Sequence, residues 1–302
     1  MDFKETLAGL KKEIDKELKL QFDSVIKSVQ KEDILLSEAL KQVKKIALAG
    51  GKRIRGALLC QAYFGAGGKN KKEIMKAAAA IELLHMFFLV HDDIMDKGML
   101  RHGEKTLQAF FSEKKQKGVF ASEVAHFSDS IAIIGGDMLY VMANKIILKT
   151  RFNIEAVTQS LEKLQSTAET TIIGQSQDMK IAQEKQVNEK KVLSMYANKT
   201  AQYTFENPLH IGVILAGKNN QRLLQCLSRY AINVGTAFQI QDDILGVFGN
   251  EKKTGKLSVS DIEEGKKSVM VIKAYKKANP EQKKQLNSIL GKKGLTKKEI
   301  NI

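Results

Sequence analysis

The sequence predicts an all-α protein. Only Pro208 and Pro280 occur in 302 residues, so long stretches carry no strong helix breaker. Apolar residues recur at helical spacing, and there is neither an alternating strand pattern of useful length nor a short-period repeat. A 43% hydrophobic and 27% charged composition is a globular balance, long enough for a well-filled core. The expectation is one helical bundle spanning 1–302.

Taken in order, residues 2–20 and 33–49 read as amphipathic helices, the second closed by Gly50-Gly51. A helix starts within RIRGALLCQAYFGA and turns at Gly65, Gly67 and Gly68. Residues 71–97 form one long helix ending in DDIMD, and polar residues 112–127 read as a surface loop or short helix. Helices are expected over 128–149, 153–180, 188–216 and 220–246, with GKNN (217–220) as a turn. The polar segment 249–267 reads as a loop, 268–278 as a helix and 281–290 as a short last piece.

With 49 Lys+Arg against 34 Asp+Glu, the net charge is +15. Most of these lysines are a solvated surface, but a surplus of this sign also points to phosphate-bearing partners. Nucleic acid would need a basic stripe interleaved with aromatics. Trp is absent and aromatics are 6%, so a small phosphorylated ligand fits better. Cys60 and Cys226 lie in apolar stretches without CxxC spacing and read as buried free thiols in a reducing cytosol. The charged N-terminus has no apolar core, so no secretory signal is expected. The most apolar run, AAAAIELLHMFFLV (77–90), is short for a membrane span and carries Glu82 and His85; it reads as a buried core helix.

Chemistry concentrates in three places. In HDDIMD, Asp92 and Asp96 lie one helical turn apart on one face, where two carboxylates repel. A hard cation that keeps open positions for substrate phosphates removes the conflict. A solvated acidic helix end is the plainer alternative, weakened because the motif directly follows the most apolar run. A second pair, Asp242 and Asp243, ends another apolar helix, with Gln239 about one turn before it. GGKRIRG (50–56) gathers Lys52, Arg53 and Arg55 beside glycines, as a phosphate-wrapping loop would. GNEKKTGKL (249–257) is no P-loop: its spacing is wrong, Leu257 replaces Ser/Thr and no strand precedes it.

Together GGKRIRG, HDDIMDKGMLRHG, IIGGDML (133–139), GQSQDM (174–179), NKTAQ (198–202) and FQIQDDILG with TGK resemble the trans-isoprenyl diphosphate synthases, the polyprenyl synthetase family, from about residue 40 to 275. The resemblance implies an isoprenoid-synthase-type bundle with a central cavity. It also implies a homodimer, a cytoplasmic location and three Mg²⁺ ions per site. The implied reaction condenses isopentenyl diphosphate with an allylic diphosphate, giving farnesyl or geranylgeranyl diphosphate. Asp92 and Asp96 would hold two metals with Asp93 in support. Asp242 would hold the third, assisted by Gln239 and Asp243. Arg101, Lys199, Lys256 and Lys266 would grip the allylic diphosphate beside Thr200. Lys52, Arg55 and His85, with His102, would bind isopentenyl diphosphate. Phe87 and Phe88 would floor the prenyl pocket about one turn, roughly 5–7 Å, from the metals; ordinary core packing explains them equally well.

Three features depart from the family pattern. Gly246 stands where a third Asp is usual. Arg101-His102 replaces Arg-Arg. The chain stops at KKGLTKKEINI, where further C-terminal helices are common, so those helices are expected to be short or missing. Two other readings compete with a chain-elongating enzyme. A terpene-cyclase-like lyase has no use for Lys52 and Arg55. A non-catalytic subunit of a heteromeric synthase fits Gly246 and the short end, but not two intact Asp pairs.

Overall fold

The computed structural model describes residues 2–114, 120–184, 187–249, 260–296 and 299. Helices dominate, and the chain divides into two compact units: Met1–Leu164 with Pro208–Asn219, and Gln165–Asn207 with Asn220–Ile302.

In the first unit, α1 (Phe3–Val29) buries Ile14, Leu18, Phe22 and Ile26, one residue per turn, the spacing that makes a single apolar stripe. α2 (Ile34–Ala49) starts where Asp33 accepts the Leu36 N–H at 3.0 Å. α3 (Ile54–Gly65) follows the glycine loop. α4 (Lys71–Met95) is capped by Asn70 and buried on nearly every face, with Ala77–Ala80 allowing close approach of its neighbours. It packs most extensively on α6 (Val124–Leu148) and on α3. A short helix, α5 (Leu107–Glu113), packs on α6, and α9 (Asn207–Leu215) supplies more apolar surface to this unit. α4 and α6 are long and apolar enough to cross a membrane; in the most apolar stretch of each, 67% and 50% is buried inside the protein.

α7 (Ile154–Gln183) runs from the first unit into the second. There α8 (Glu189–Tyr196) continues into a ten-residue π-helical segment, Ala197–Glu206. α10 (Gln221–Phe248), α11 (Ser260–Glu263), α12 (Val269–Lys277) and α13 (Pro280–Ile289) complete the unit. Ile181, Val192, Met195, Tyr196, Val269 and Ile272 form one of its buried clusters.

Three expectations change. The helix read across 188–216 is interrupted by the π segment. Pro208 has no N–H for the carbonyl four residues back and its ring crowds that carbonyl. The backbone widens instead, and Asn207 donates to the Gln202 carbonyl five residues back. A two-stranded hairpin, β1 (Leu100–Arg101) and β2 (Glu104–Lys105), follows α4. Its two-residue turn uses His102 (φ 53°) and Gly103 (φ 81°), the left-handed pair that hairpins of this length favour. Cys60 is buried as expected, but Cys226 is exposed, because it falls on the outward face of the first turns of α10.

Candidate active site

The glycine loop, the C-terminal half of α4 and the hairpin that follows it gather a cluster of basic side chains in the first unit. Arg53 adopts a left-handed backbone (φ 54°), a costly conformation for a residue with a side chain. Its own contacts hold it there. The residue is 4% exposed. Its Nε donates to Asp15 at 2.6 Å, Nη2 donates to the Ala47 carbonyl, and Nη1 lies 3.8 Å from Glu82. Glu82, 2% exposed, also accepts the Gly56 N–H at 2.9 Å. Arg53 is therefore the anchor of the loop, which leaves Lys52 exposed and Arg55 half-buried.

His85 is half-buried on α4, one turn after Glu82. Burial and then the nearby charges of Arg55, Arg101, Arg53 and His102 hold its imidazole well below the ordinary range. It is neutral near pH 7 and offers a hydrogen bond rather than a charge. His102 is also lowered, first by burial, although its Nδ1 lies 3.3 Å from the Ile46 carbonyl and that contact opposes the shift. These shifts show that Arg55, His85, Arg101 and His102 share one electrostatic neighbourhood.

The two adjacent carboxylates at the end of α4 diverge. Asp93 is 6% exposed and is gripped by Arg101, whose Nε lies 3.0 and 2.8 Å from its two oxygens and whose Nη2 lies 2.6 Å from Oδ1. Gln108 ties the Asp93 and Gly98 carbonyls together, both at 2.8 Å. Asp92 is half-buried and Asp96 exposed, and the Asp96 N–H donates to the Asp92 carbonyl at 2.8 Å, so the helical turn between them is intact. The helix ends when Lys97 turns left-handed and the Gly98 N–H reaches back to the Asp93 carbonyl at 2.8 Å. Asp92 and Asp96 thus sit in the last turn, where the helix dipole is negative and disfavours them. No ready-made cluster of three or more metal-ligating side chains exists among the described residues. This donor set fits a hard divalent cation that takes part of its shell from substrate phosphate and water.

One turn earlier, Phe87 and Phe88 are half-buried with ring centroids 5.0 Å apart. Phe87 also meets His91 at 4.7 Å and Tyr140 of α6 at 5.3 Å.

In the second unit the π segment carries the NKTAQ motif. It is clasped by two glycines. A Cβ on Gly174 of α7 would lie 2.4 Å from the Lys199 nitrogen, and one on Gly235 of α10 would lie 2.5 Å from the Ala201 Cα. Lys199 Nζ donates to Asp178 of α7 at 2.6 Å. Thr200 Oγ1 donates to Gln239 at 2.7 Å, and Gln239 Nε2 donates to Asp243 at 2.9 Å. Asp243 is 8% exposed and also accepts from the Tyr196 hydroxyl, which itself accepts the Val269 N–H at 3.1 Å. Burial raises the Asp243 carboxyl, Tyr196 and Gln239 oppose the shift, and the Asp261 and Asp242 charges add to it. Asp242, its neighbour, is exposed. Lys266 pairs with Asp261 at 3.1 Å and Glu264 at 2.7 Å. Lys256 lies outside the described residues.

Glu82, Asp15, Asp178, Tyr196 and Asp261 escaped sequence reasoning as site residues. Glu82 left a trace as a carboxylate inside the most apolar run, and Asp178 as the aspartate of the GQSQDM motif.

Comparison with known proteins agrees with the motifs. The polyprenyl synthetase family model matches residues 37–301. A short chain isoprenyl diphosphate synthase of Methanocaldococcus jannaschii is 34% identical over 287 residues, 95% of this chain and 80% of that protein. A geranylgeranyl diphosphate synthase of Saccharolobus solfataricus is 35% identical over 254 residues, 83% and 71%. The crystal structure of a geranylgeranyl pyrophosphate synthase from Corynebacterium glutamicum, complexed with isoprenyl diphosphate and magnesium, superposes with a TM-score of 0.89 at 28% identity, covering 100% of this chain and 85% of that one. The chain belongs to the polyprenyl synthetase family and is a trans-prenyltransferase with the family's all-α fold.

Proposed function

We propose that the chain condenses isopentenyl diphosphate with an allylic diphosphate, using Mg²⁺, and releases a short prenyl diphosphate, farnesyl diphosphate first. The observation that carries the reading is the division of labour in the two Asp pairs. Each has one less buried carboxylate, half-buried Asp92 or exposed Asp242, and one buried and hydrogen-bonded, Asp93 or Asp243.

Asp92 and Asp96, and separately Asp242, are the residues that would hold the metals, three by family resemblance. When bound, Mg²⁺ neutralises charge that develops on the departing diphosphate. By family resemblance, Arg101 of the first unit and Lys199 and Lys266 of the second are the cations assigned to the allylic diphosphate, together with Lys256. Asp93 keeps the Arg101 guanidinium in place, and Asp178 does the same for the Lys199 ammonium. The Gln239–Asp243–Tyr196 chain fixes the Thr200 hydroxyl, so its position does not relax as charge builds nearby. The allylic carbon–oxygen bond breaks, the isopentenyl double bond attacks the allylic cation, and a proton then leaves from the new chain to the released pyrophosphate. Lys52, Arg55, His85 and His102 hold the isopentenyl diphosphate. The neutral state of His85 limits repulsion from the arginines until an anion arrives.

Phe87 and Phe88 set the pocket floor in this reading, and their half-buried rings one turn before Asp92 support a C15 product. The name of the Saccharolobus solfataricus relative favours a C20 product as the second reading. The chain acts as one bundle and as a homodimer in the cytoplasm, on family resemblance. The deciding experiment incubates the protein with Mg²⁺, labelled isopentenyl diphosphate and dimethylallyl, geranyl or farnesyl diphosphate, and sizes the dephosphorylated products. A C15 product supports the reading with its floor. C20 or longer removes the floor and keeps the condensation. No product from any primer overturns the catalytic assignment in favour of a non-catalytic subunit.

A further inference from the structure

Gly246 stands where the family pattern has a third Asp, and the space its missing side chain leaves is taken. A Cβ at this position would lie 2.2 Å from Asp261 Oδ2 and 3.0 Å from its Cγ, so the Asp261 carboxylate rests directly against the α10 backbone. Its other oxygen, Oδ1, accepts from the Lys266 ammonium at 3.1 Å. The chain between them folds back on itself. Gly265 turns left-handed (φ 70°), and the Lys266 N–H donates to the Asp261 carbonyl at 3.0 Å. Glu264 closes the other side of the ammonium at 2.7 Å. Lys266 is half-buried and keeps its charge: burial works against the ammonium, but Asp261 and Glu264 more than offset it and raise its pKa.

We infer that Gly246 is a socket, and that Asp261 seated in it is a positioning residue that holds Lys266 ready for the allylic diphosphate. The inference rests on the proposed role of Lys266 as a diphosphate cation. A lysine ends in a flexible four-carbon stem, and a cation already fixed in place loses less freedom when the anion arrives. A methyl group in the socket forces the Asp261 carboxylate to shift, which leaves Lys266 with Glu264 as its remaining anchor.

The test is a double-mutant cycle on the full chain with Gly246→Ala, Asp261→Ala and the double variant, with Lys266→Ala alongside. Affinity for inorganic pyrophosphate with Mg²⁺ is read by calorimetry, KM and kcat are measured for the allylic primer, and thermal midpoints are recorded. Gly246→Ala should weaken pyrophosphate binding about five- to tenfold and raise the allylic KM similarly, with a smaller change in kcat. Asp261→Ala should do the same. In the Asp261→Ala background the socket is empty, so Gly246→Ala should cost less than about twofold more. There it should also raise the thermal midpoint, because alanine is the better helix former. Wild-type affinity in Gly246→Ala, or losses that multiply in the double variant, would overturn the inference. Lys266→Ala separates the two ways of failing. If it binds pyrophosphate normally, the diphosphate role of Lys266 is wrong and the latch falls with it. If it binds weakly while the other two single variants bind normally, the diphosphate role stands and only the latch is lost.

Discussion

Replacing Glu82 by alanine should unfasten the basic loop from the helix that supports it. Glu82 is 2% exposed and holds two groups, the Gly56 N–H at 2.9 Å and the Arg53 guanidinium at 3.8 Å. The orphaned buried N–H costs about 1–3 kcal/mol. Breaking a fully buried ion pair costs about 3–5 kcal/mol, but Arg53 keeps Asp15 and the Ala47 carbonyl, so about 1–2 kcal/mol of that is expected here. The two losses share a partner and do not add fully, which leaves about 2–4 kcal/mol. In a chain of 302 residues that lowers the thermal midpoint by about 3–6 °C. The functional consequence is specific. Arg55 follows Arg53 by two residues, so a loosened loop should raise the KM for isopentenyl diphosphate about tenfold or more. Glu82→Gln, which keeps an acceptor for Gly56, should show less of both effects. Lys52→Ala is the contrast: Lys52 is exposed, so KM should rise with no loss of stability. Calorimetric melting and steady-state kinetics on the three variants decide the matter. A Glu82→Ala protein that melts with the wild type and keeps its isopentenyl KM would refute the anchor argument.

Phe87→Ala should shift the longest product from C15 toward C20, at a stability cost of about 1–3 kcal/mol because the ring is only half-buried; an unchanged product in a folded variant would show that Phe87 is core packing alone. Asp92→Asn or Asp96→Asn should lower kcat about a hundredfold or more and weaken the Mg²⁺ dependence. Asp93→Asn should act through Arg101, raising the KM of a diphosphate substrate more than it lowers kcat; equal behaviour of all three would sink the distinction between metal ligand and positioning carboxylate. His85 is held well below its usual value of 6.5 by burial and by Arg55 and Arg101. Below about pH 6.5 the unfolded chain therefore takes up a proton that the folded chain refuses. Stability should fall as the pH drops from there toward the depressed value, and a His85→Gln variant should lose that part of the slope in pH-dependent melting curves.

Where the sequence was legible, local chemistry and structure agreed. Asp33, Asn70, Asn188, Asn220 and Ser268 each cap the helix that follows them through their own side chains. The glycine turns at 65–68 and 217 fell between periodic stretches and were readable for the same reason. The π segment was not readable from periodicity, because a ten-residue widening hardly disturbs an apolar pattern spaced three to four residues apart. Its cause, Pro208, was visible, but a proline can be absorbed by a kink or a break as readily as by a π turn. The hairpin after α4 was missed because two residues per strand carry no alternation; only the His102-Gly103 turn could have signalled it. Arg53 was grouped with Lys52 and Arg55 in the basic loop without a role of its own, because its partners, Asp15 and Glu82, are far away in the sequence. Burial of an arginine is a tertiary fact, and a cluster of basic residues does not say which member is spent on the fold.

The paired aspartates make the same point about the site. Neighbouring residues on a helix are separated by about 100° around its axis, so a DD dipeptide cannot send both carboxylates the same way. At the end of α4 the second carboxylate turns inward to Arg101, and on α10 the second turns inward to Tyr196 and Gln239. A buried carboxylate needs such partners, since an unpaired one would lose its charge or unfold its surroundings. Each partner in turn is or leads to a group assigned to the diphosphate: Arg101 directly, and Gln239 through Thr200. The burial of Asp93 and Asp243 therefore does two things with one side chain. It satisfies the interior, and it fixes a polar group, Arg101 or Thr200, that the proposed mechanism places beside the leaving group. Gly246 carries the same logic one turn further along α10. The position that lacks a carboxylate of its own lets Asp261 lie there, and Asp261 holds Lys266 as Asp93 holds Arg101.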